Sequence, residues 1–200
     1  TGEPGNVVYD SNPEPFFIEK AVQLGIADSE VNEIGSMGYG AAWGDYDNDQ
    51  DFDLYLTNWG VNRLYNNDNN SFTNVADVQY IESEELSNGV SWGDYNNDGL
   101  LDLWTSNIRS PDDVFINMGD GTWDSTSSPY FLSGTQDVMS GDINNDGWLD
   151  IFAAGLKMQN GPPGAKYTSL LYKNVTPDSS ANTNHWLKIK LEGRQYDLPN

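Results

Sequence analysis

The chain contains no cysteine and a single histidine. The first absence excludes disulfides, thiolate metal sites and a cysteine nucleophile, without fixing the compartment. The second leaves almost no choice of base for a Ser–His–Asp constellation. His185 itself precedes Trp186 in a strand-like stretch and reads as structural. No glycine-rich phosphate loop is present. No run of about 18 apolar residues exists, so no membrane-spanning helix is expected. Positive charge is scarce: 9 Lys and Arg stand against 31 Asp and Glu, for a net charge of −22. Phosphate backbones and anionic membrane surfaces both call for Lys and Arg, so nucleic acid and membrane partners are excluded. No signal peptide or initiator Met is recognisable, and a chain starting at Thr1 is expected to be a processed mature protein or a fragment.

What is present is apolar residues at 37%, with seven Trp and eleven Tyr, enough for a buried core in 200 residues. Asn, Asp, Gly and Ser are abundant and helix formers sparse, which predicts short strands joined by many turns. The acids are not scattered. Eleven of them fall in three stretches, "GDYDNDQDFDLYLTN" (44–58), "GDYNNDGLLDLWTSN" (93–107) and "GDINNDGWLDIFAAG" (141–155). The first aspartates, Asp45, Asp94 and Asp142, are 49 and 48 residues apart. A fixed period of this size is the mark of a repeat architecture.

Each repeat reads alike. A short apolar segment (39–43, 89–92, 137–140) leads into the acidic loop. A strand-like run follows (54–57, 103–105, 151–153), then a second (63–66, 113–117, 169–172). A turn and a further strand come next at 72–75 and 122–125. Four short antiparallel strands per 48 residues are the unit of a β-propeller blade. The expected fold is therefore all-β: propeller-type blades of four antiparallel strands, about three of them, in an incomplete or open ring. The expected divisions are an N-terminal extension at 1–15, a lead-in strand (16–19) and loop at 16–38, and blades at 39–87, 88–135 and 136–193. A tail follows at 194–200. "HWLKIKL" (185–191) would supply the fourth strand of blade three, and residues 19–27 one helical turn. The segment "LKMQNGPPGAKYT", within 156–168, makes blade three about nine residues longer than the others, as a surface insertion or a partner-binding loop.

Counted from its first Asp, each loop carries side-chain oxygens at positions 1, 3, 5 and 9: Asp45, Asp47, Asp49 and Asp53; Asp94, Asn96, Asp98 and Asp102; Asp142, Asn144, Asp146 and Asp150. Position 7 (Asp51, Leu100, Trp148) varies freely, as expected if only its backbone carbonyl serves. Hard oxygen donors of mixed kind suit Ca²⁺, whereas Zn²⁺ and copper prefer His or Cys. Three Ca²⁺ sites are predicted, which would change the net charge from −22 to −16. Position 6 is Gly99 and Gly147 in two loops and Gln50 in the first; if the backbone shape is shared, Gln50 is strained by about 1 kcal/mol. An EF-hand is excluded, since it needs Glu at position 12 and flanking helices, and position 12 here is Leu56, Thr105 and Ala153.

These motifs resemble the FG-GAP/VCBS repeat family of integrin-α-like propellers, with D-x-D-x-D-G-x-x-D calcium loops. "FFIEKAVQLGIAD" (16–28) and the second repeat are similar to the subgroup that precedes ASPIC/UnbV domains, and "NHWLKIKLEG" (184–193) resembles the opening of that domain. The resemblance implies an extracellular structural, adhesive or recognition module with a protein or glycan ligand. Three blades do not close a ring, so a subunit completed by copies of itself is the alternative, with "GNVVYD" (5–10) as a strand offered to a neighbour. An accessory domain of a polysaccharide-active enzyme is a further one. No catalytic role is expected of the chain itself, because carboxylates committed to Ca²⁺ are poor general acids. Trp43 and Trp92, each two residues before its loop, are expected in packing between blades. Asn69 and Asn174 open N-glycosylation triplets.

Overall fold

The strands form where apolar runs are bounded by Asn, Asp and Gly. The computed structural model describes residues 17–27, 38–83, 85–127, 134–155 and 169–175. Sheet one is built from β1 (Gly38–Gly44), β2 (Asp53–Asn58), β3 (Arg63–Asp68) and β4 (Ser71–Asn74). Sheet two contains β5 (Ser87–Gly93), β6 (Asp102–Asn107), β7 (Asp113–Asn117) and β8 (Trp123–Ser127). Sheet three contains β9 (Thr135–Gly141), β10 (Asp150–Gly155) and β11 (Leu170–Tyr172). All neighbours pair antiparallel in chain order. These are propeller-type blades, and among the described residues they do not close a ring.

The strands agree with the expected runs to within a residue or two, and each inner strand starts one residue earlier than its expected blade. One expectation is corrected: residues 17–20 form no strand, and a single helical turn, α1 (Ala21–Leu24), follows them. The turn closes on Gly25 in the left-handed conformation, which is the usual device for stopping a helix. The N-terminal extension, the insertion at 156–168, the strand at 185–191, the ASPIC/UnbV-like segment and the tail lie outside the described residues.

The second strands of sheets one and two are nearly all buried, β6 because a neighbouring sheet stands on each of its faces. Tyr46, Tyr55, Leu64 and Ala76 of sheet one pack on Leu103 and Phe115 of sheet two, with Trp92 and Trp123 at the seam. Tyr95, Trp104 and Val114 of sheet two pack on Val138, Ile151 and Ala153 of sheet three. The inner strands run side by side, β1 against β5 and β5 against β9. They come so close that a Cβ on Gly40 would stand 2.2 Å from the Asn88 carbonyl oxygen, and one on Gly89 would stand 2.7 Å from Asp137 Cα. Backbone cannot yield cheaply, so these inner positions in the first two blades require glycine.

Polar groups tie the sheets as well. Trp92 Nε1 donates to the Ala42 carbonyl at 3.2 Å, and Ser140 Oγ to the Trp92 carbonyl at 3.3 Å. A buried relay runs from Asn62 Nδ2 to Ser87 Oγ (3.0 Å) and on to Asn107 Oδ1 (2.8 Å). The two-residue turn between β3 and β4 has Asn69 and Asn70 at φ 53° and 67°. Two successive positive φ values are what a type I′ hairpin needs, and Asn tolerates them.

Candidate metal centres

Each acidic loop leaves an inner strand and returns into the second strand of the same sheet, so its ends are clamped by β pairing. Gly44 faces Asp53, Gly93 faces Asp102 and Gly141 faces Asp150 across the ladder. Within that clamp the three loops repeat one hydrogen-bond pattern. The position-1 carboxylate accepts from the N–H of position 5 through Oδ1 (Asp49 on Asp45, 3.0 Å; Asp98 on Asp94, 3.0 Å; Asp146 on Asp142, 3.1 Å). Its Oδ2 accepts from the N–H of position 6 (Gln50, 3.1 Å; Gly99, 2.9 Å; Gly147, 3.0 Å). The position-5 carboxylate accepts from the N–H of position 7 (Asp51, 2.8 Å; Leu100, 2.9 Å; Trp148, 3.0 Å). The position-3 oxygen of Asp47, Asn96 or Asn144 accepts from the same position-5 N–H.

These bonds roll positions 1, 3 and 5 around one centre. In loop one, oxygens of Asp45, Asp47 and Asp49 all lie within 4.8 Å of one another. In loops two and three Asn96 and Asn144 replace one carboxylate by an amide oxygen, leaving less charge to neutralise. The donor set is wholly oxygen, anionic at two or three of its members and open to solvent, which is the chemistry of a hard divalent cation. Asp51 turns its own carboxylate away: Oδ2 accepts from Asn69 N–H at 2.8 Å, in the β3–β4 turn. One oxygen of the position-7 carboxylate is thus engaged with the β3–β4 turn. Lys173 Nζ reaches to 3.8 Å from Asp146 Oδ2 in loop three, an exposed pair of small energetic value.

Position 9 has a second duty that sequence reasoning missed. Asp53, Asp102 and Asp150 are buried, and each carboxylate bridges two elements. One oxygen accepts from the position-2 N–H of its own loop (Tyr46, 3.1 Å; Tyr95, 2.8 Å; Ile143, 3.3 Å). The other accepts from an N–H at or just after the third strand (Asn67, 2.8 Å; Asn117, 2.9 Å; Asn174, 2.9 Å). The side chains of two of these asparagines then reach the preceding sheet: Asn117 Nδ2 donates to the Tyr46 carbonyl and Asn174 Nδ2 to the Tyr95 carbonyl, both at 2.8 Å. Asn174, flagged for glycosylation, is thereby committed to holding sheet three against loop two. The signal was present, since Asn recurs at that point of every repeat.

Position 4 was missed too. Asn48, Asn97 and Asn145 sit at φ 61°, 58° and 61°, and position 6 is left-handed in all three loops: Gln50 at 80°, Gly99 and Gly147 at 91°. The first loop therefore keeps the backbone shape despite Gln50, which is strained by about 1–2 kcal/mol.

Burial, more than any neighbour, pushes the carboxyls of Asp53 and Asp102 up to about 6, against the pull of their two backbone N–H bonds. A folded-state pKa above the unfolded value of 3.8 means the folded chain holds these protons longer. Stability of the cation-free protein then falls as pH rises from about 4 to above 6. A cation binds the ionised form, so its added stability grows over the same interval. Urea midpoints between pH 4.5 and 7.5 are expected to fall with pH in EGTA and to gain progressively from Ca²⁺. A calcium increment that is constant across this range would count against cation binding beside these carboxylates.

The family model for FG-GAP-like repeats matches residues 45–105 and again 94–153. Each match opens on the first aspartate of a loop and ends in the second strand of the next sheet, so the unit it describes includes one full seam between blades. No curated protein matches the chain.

Proposed function

We infer, because the chain belongs to the FG-GAP-like repeat family, that it is a calcium-stiffened extracellular module whose blades present surfaces for adhesion or ligand recognition. FG-GAP repeats are typically extracellular ligand-binding or adhesion modules and often bind Ca²⁺. In this reading each loop holds one Ca²⁺, three in all. The side chains at positions 1, 3, 5 and 9 and the carbonyl of Asp51, Leu100 or Trp148 face it. The observation that carries the reading is the same carboxylate-centred hydrogen-bond pattern in three loops, in phase with the sheets. Such a pattern gathers like charge where the chain must pass closely from one strand to the next, and a divalent ion removes the repulsion.

The consequence is mechanical. Position 9 joins the loop to the third strand, and the asparagine there joins sheet two to loop one and sheet three to loop two. An ion that stiffens a loop therefore stiffens the seam beside it. The ligand presented to is a protein or a glycan, and the chain has no catalytic role. The likeness of residues 184–193 to the start of an ASPIC/UnbV domain is what supports reading the chain as one of the subgroup whose propellers precede such a domain.

The test is calorimetric titration of the metal-free protein. Wild type is expected to take up three Ca²⁺, and Asp98→Ala two, with a lower melting temperature in Ca²⁺. An unchanged stoichiometry in Asp98→Ala would remove loop two from the reading. Zero uptake by wild type would remove all three.

A further inference from the structure

We propose that loops two and three take up their cations cooperatively, coupled by the side chain of Asn97; this rests on the cation reading above. Asn97 is position 4 of loop two and stands between two of its proposed ligands, Asn96 and Asp98. Its own side chain leaves that loop. Nδ2 donates to the Gly147 carbonyl of loop three at 3.1 Å. The same peptide unit donates its Trp148 N–H to Asp146 Oδ1, the proposed position-5 ligand of loop three, at 3.0 Å. One peptide earlier, Gly147 N–H donates to Asp142 Oδ2, at position 1, also at 3.0 Å. A donor on a carbonyl polarises its amide and strengthens the N–H bond on the other side. A side chain fixed by loop two therefore acts, through one peptide, on a carboxylate of loop three.

The first pair of loops lacks this link. Asn48, the counterpart of Asn97 in loop one, is exposed where Asn97 is half-buried, and among the described residues it makes no corresponding bond to loop two. Both seams share the other link, in which Asn117 or Asn174 joins position 9 of one loop to position 2 of the loop before it. The position-4 bond is what sets loops two and three apart. Ordering positions 3 to 5 of loop two holds Asn97, and Asn97 holds the Gly147–Trp148 peptide. Loop three then has less chain left to order when it binds, which is cooperativity through conformational entropy. Linkage makes the effect equal in both directions. Electrostatics opposes it, because neutralising the carboxylates of one loop weakens the negative potential at the next. That opposition is screened over about 8 Å at physiological ionic strength.

Calorimetric Ca²⁺ titration of the 200-residue chain at physiological ionic strength tests this. Asp49→Ala disables loop one and is expected to take up two Ca²⁺. Asp49→Ala/Asp146→Ala and Asp49→Ala/Asp98→Ala give the association constants of loop two and loop three alone. The product of the two stepwise constants in Asp49→Ala is expected to exceed the product of those single-loop constants by about fivefold or more. Asn97→Gly keeps the left-handed backbone at φ 58° and removes the side chain. Added to each background, it is expected to bring that ratio to about one. Asn48→Gly, compared in the same way for loops one and two, is expected to leave their ratio unchanged. Where the double variants lose their circular dichroism signal, hydrogen exchange by NMR on the metal-free protein takes their place. Trp148 N–H is expected to exchange several-fold faster in Asn97→Gly than in wild type, and equal rates would overturn the relay. Uptake of two Ca²⁺ with a ratio of one, or a ratio that survives Asn97→Gly, would overturn the coupling and leave the cation reading standing. No uptake by wild type would overturn both.

Discussion

Millimolar Ca²⁺ is expected to raise the melting temperature of this protein by on the order of 20 °C over its value in EGTA. Without the ion, carboxylates of Asp45, Asp47 and Asp49 converge within 4.8 Å, where each like-charge pair costs about 1 kcal/mol even at the dielectric of water. Binding to the folded state alone adds about 2.7 kcal/mol per site when free Ca²⁺ is a hundredfold above its dissociation constant. Three sites add about 8 kcal/mol. For a chain of this size each kcal/mol is worth about 2–4 °C. Differential scanning calorimetry in EGTA, Mg²⁺ and Ca²⁺ reads the effect. Mg²⁺ is expected to give a smaller shift, because it demands a stricter octahedron and gives up water reluctantly. An identical melting curve in EGTA and Ca²⁺ would leave the acidic loops as turns held by Asx hydrogen bonds alone.

Trp92→Ala is expected to cost about 3–5 kcal/mol in urea denaturation with Ca²⁺ present, the range for removing a large aromatic side chain from a packed interior. Trp92 lies parallel to Tyr46 at 6.3 Å, meets Tyr55 edge-on at 6.2 Å and leans on Trp123 at 6.3 Å. Its indole N–H is satisfied by the Ala42 carbonyl. Truncation opens a cavity across the first seam and leaves that carbonyl without its partner. Trp43→Ala, at the same place in the preceding repeat, is expected to cost about 1 kcal/mol or less in dilute protein, since its main ring contact is Phe72. Equal costs for the two would show that the sheets do not pack with Trp92 between them.

Much of the site was legible because its determinants are local. The proposed ligand positions 1, 3, 5 and 9 lie within nine residues, and the bonds that shape the loop run from i to i+2, i+4 or i+5. Such bonds recur wherever the same Asp and Asn spacing recurs. The left-handed residues were half legible. Gly99 and Gly147 announced position 6, while Asn48, Asn97 and Asn145 at position 4 passed unremarked because Asn suits so many roles. Gln50 at φ 80° shows the loop geometry overriding residue preference. The second duty of Asp53, Asp102 and Asp150 was not legible from spacing. Its partner is a backbone N–H that any residue but proline supplies, 14 to 24 residues away.

The sequence by itself determined the period, the antiparallel four-strand unit and the composition of each acidic loop. All of these rest on alternation and on hydrogen bonds between near neighbours along the chain. Only the tertiary structure decided which face of each sheet is covered. Trp43 and Trp92 share a local context, as do Leu64 and Leu171, yet Trp92 is half-buried and Leu64 buried while Trp43 and Leu171 stand open. Burial depends on whether another sheet stands within van der Waals reach, and that is a property of neighbours in space which no local pattern encodes.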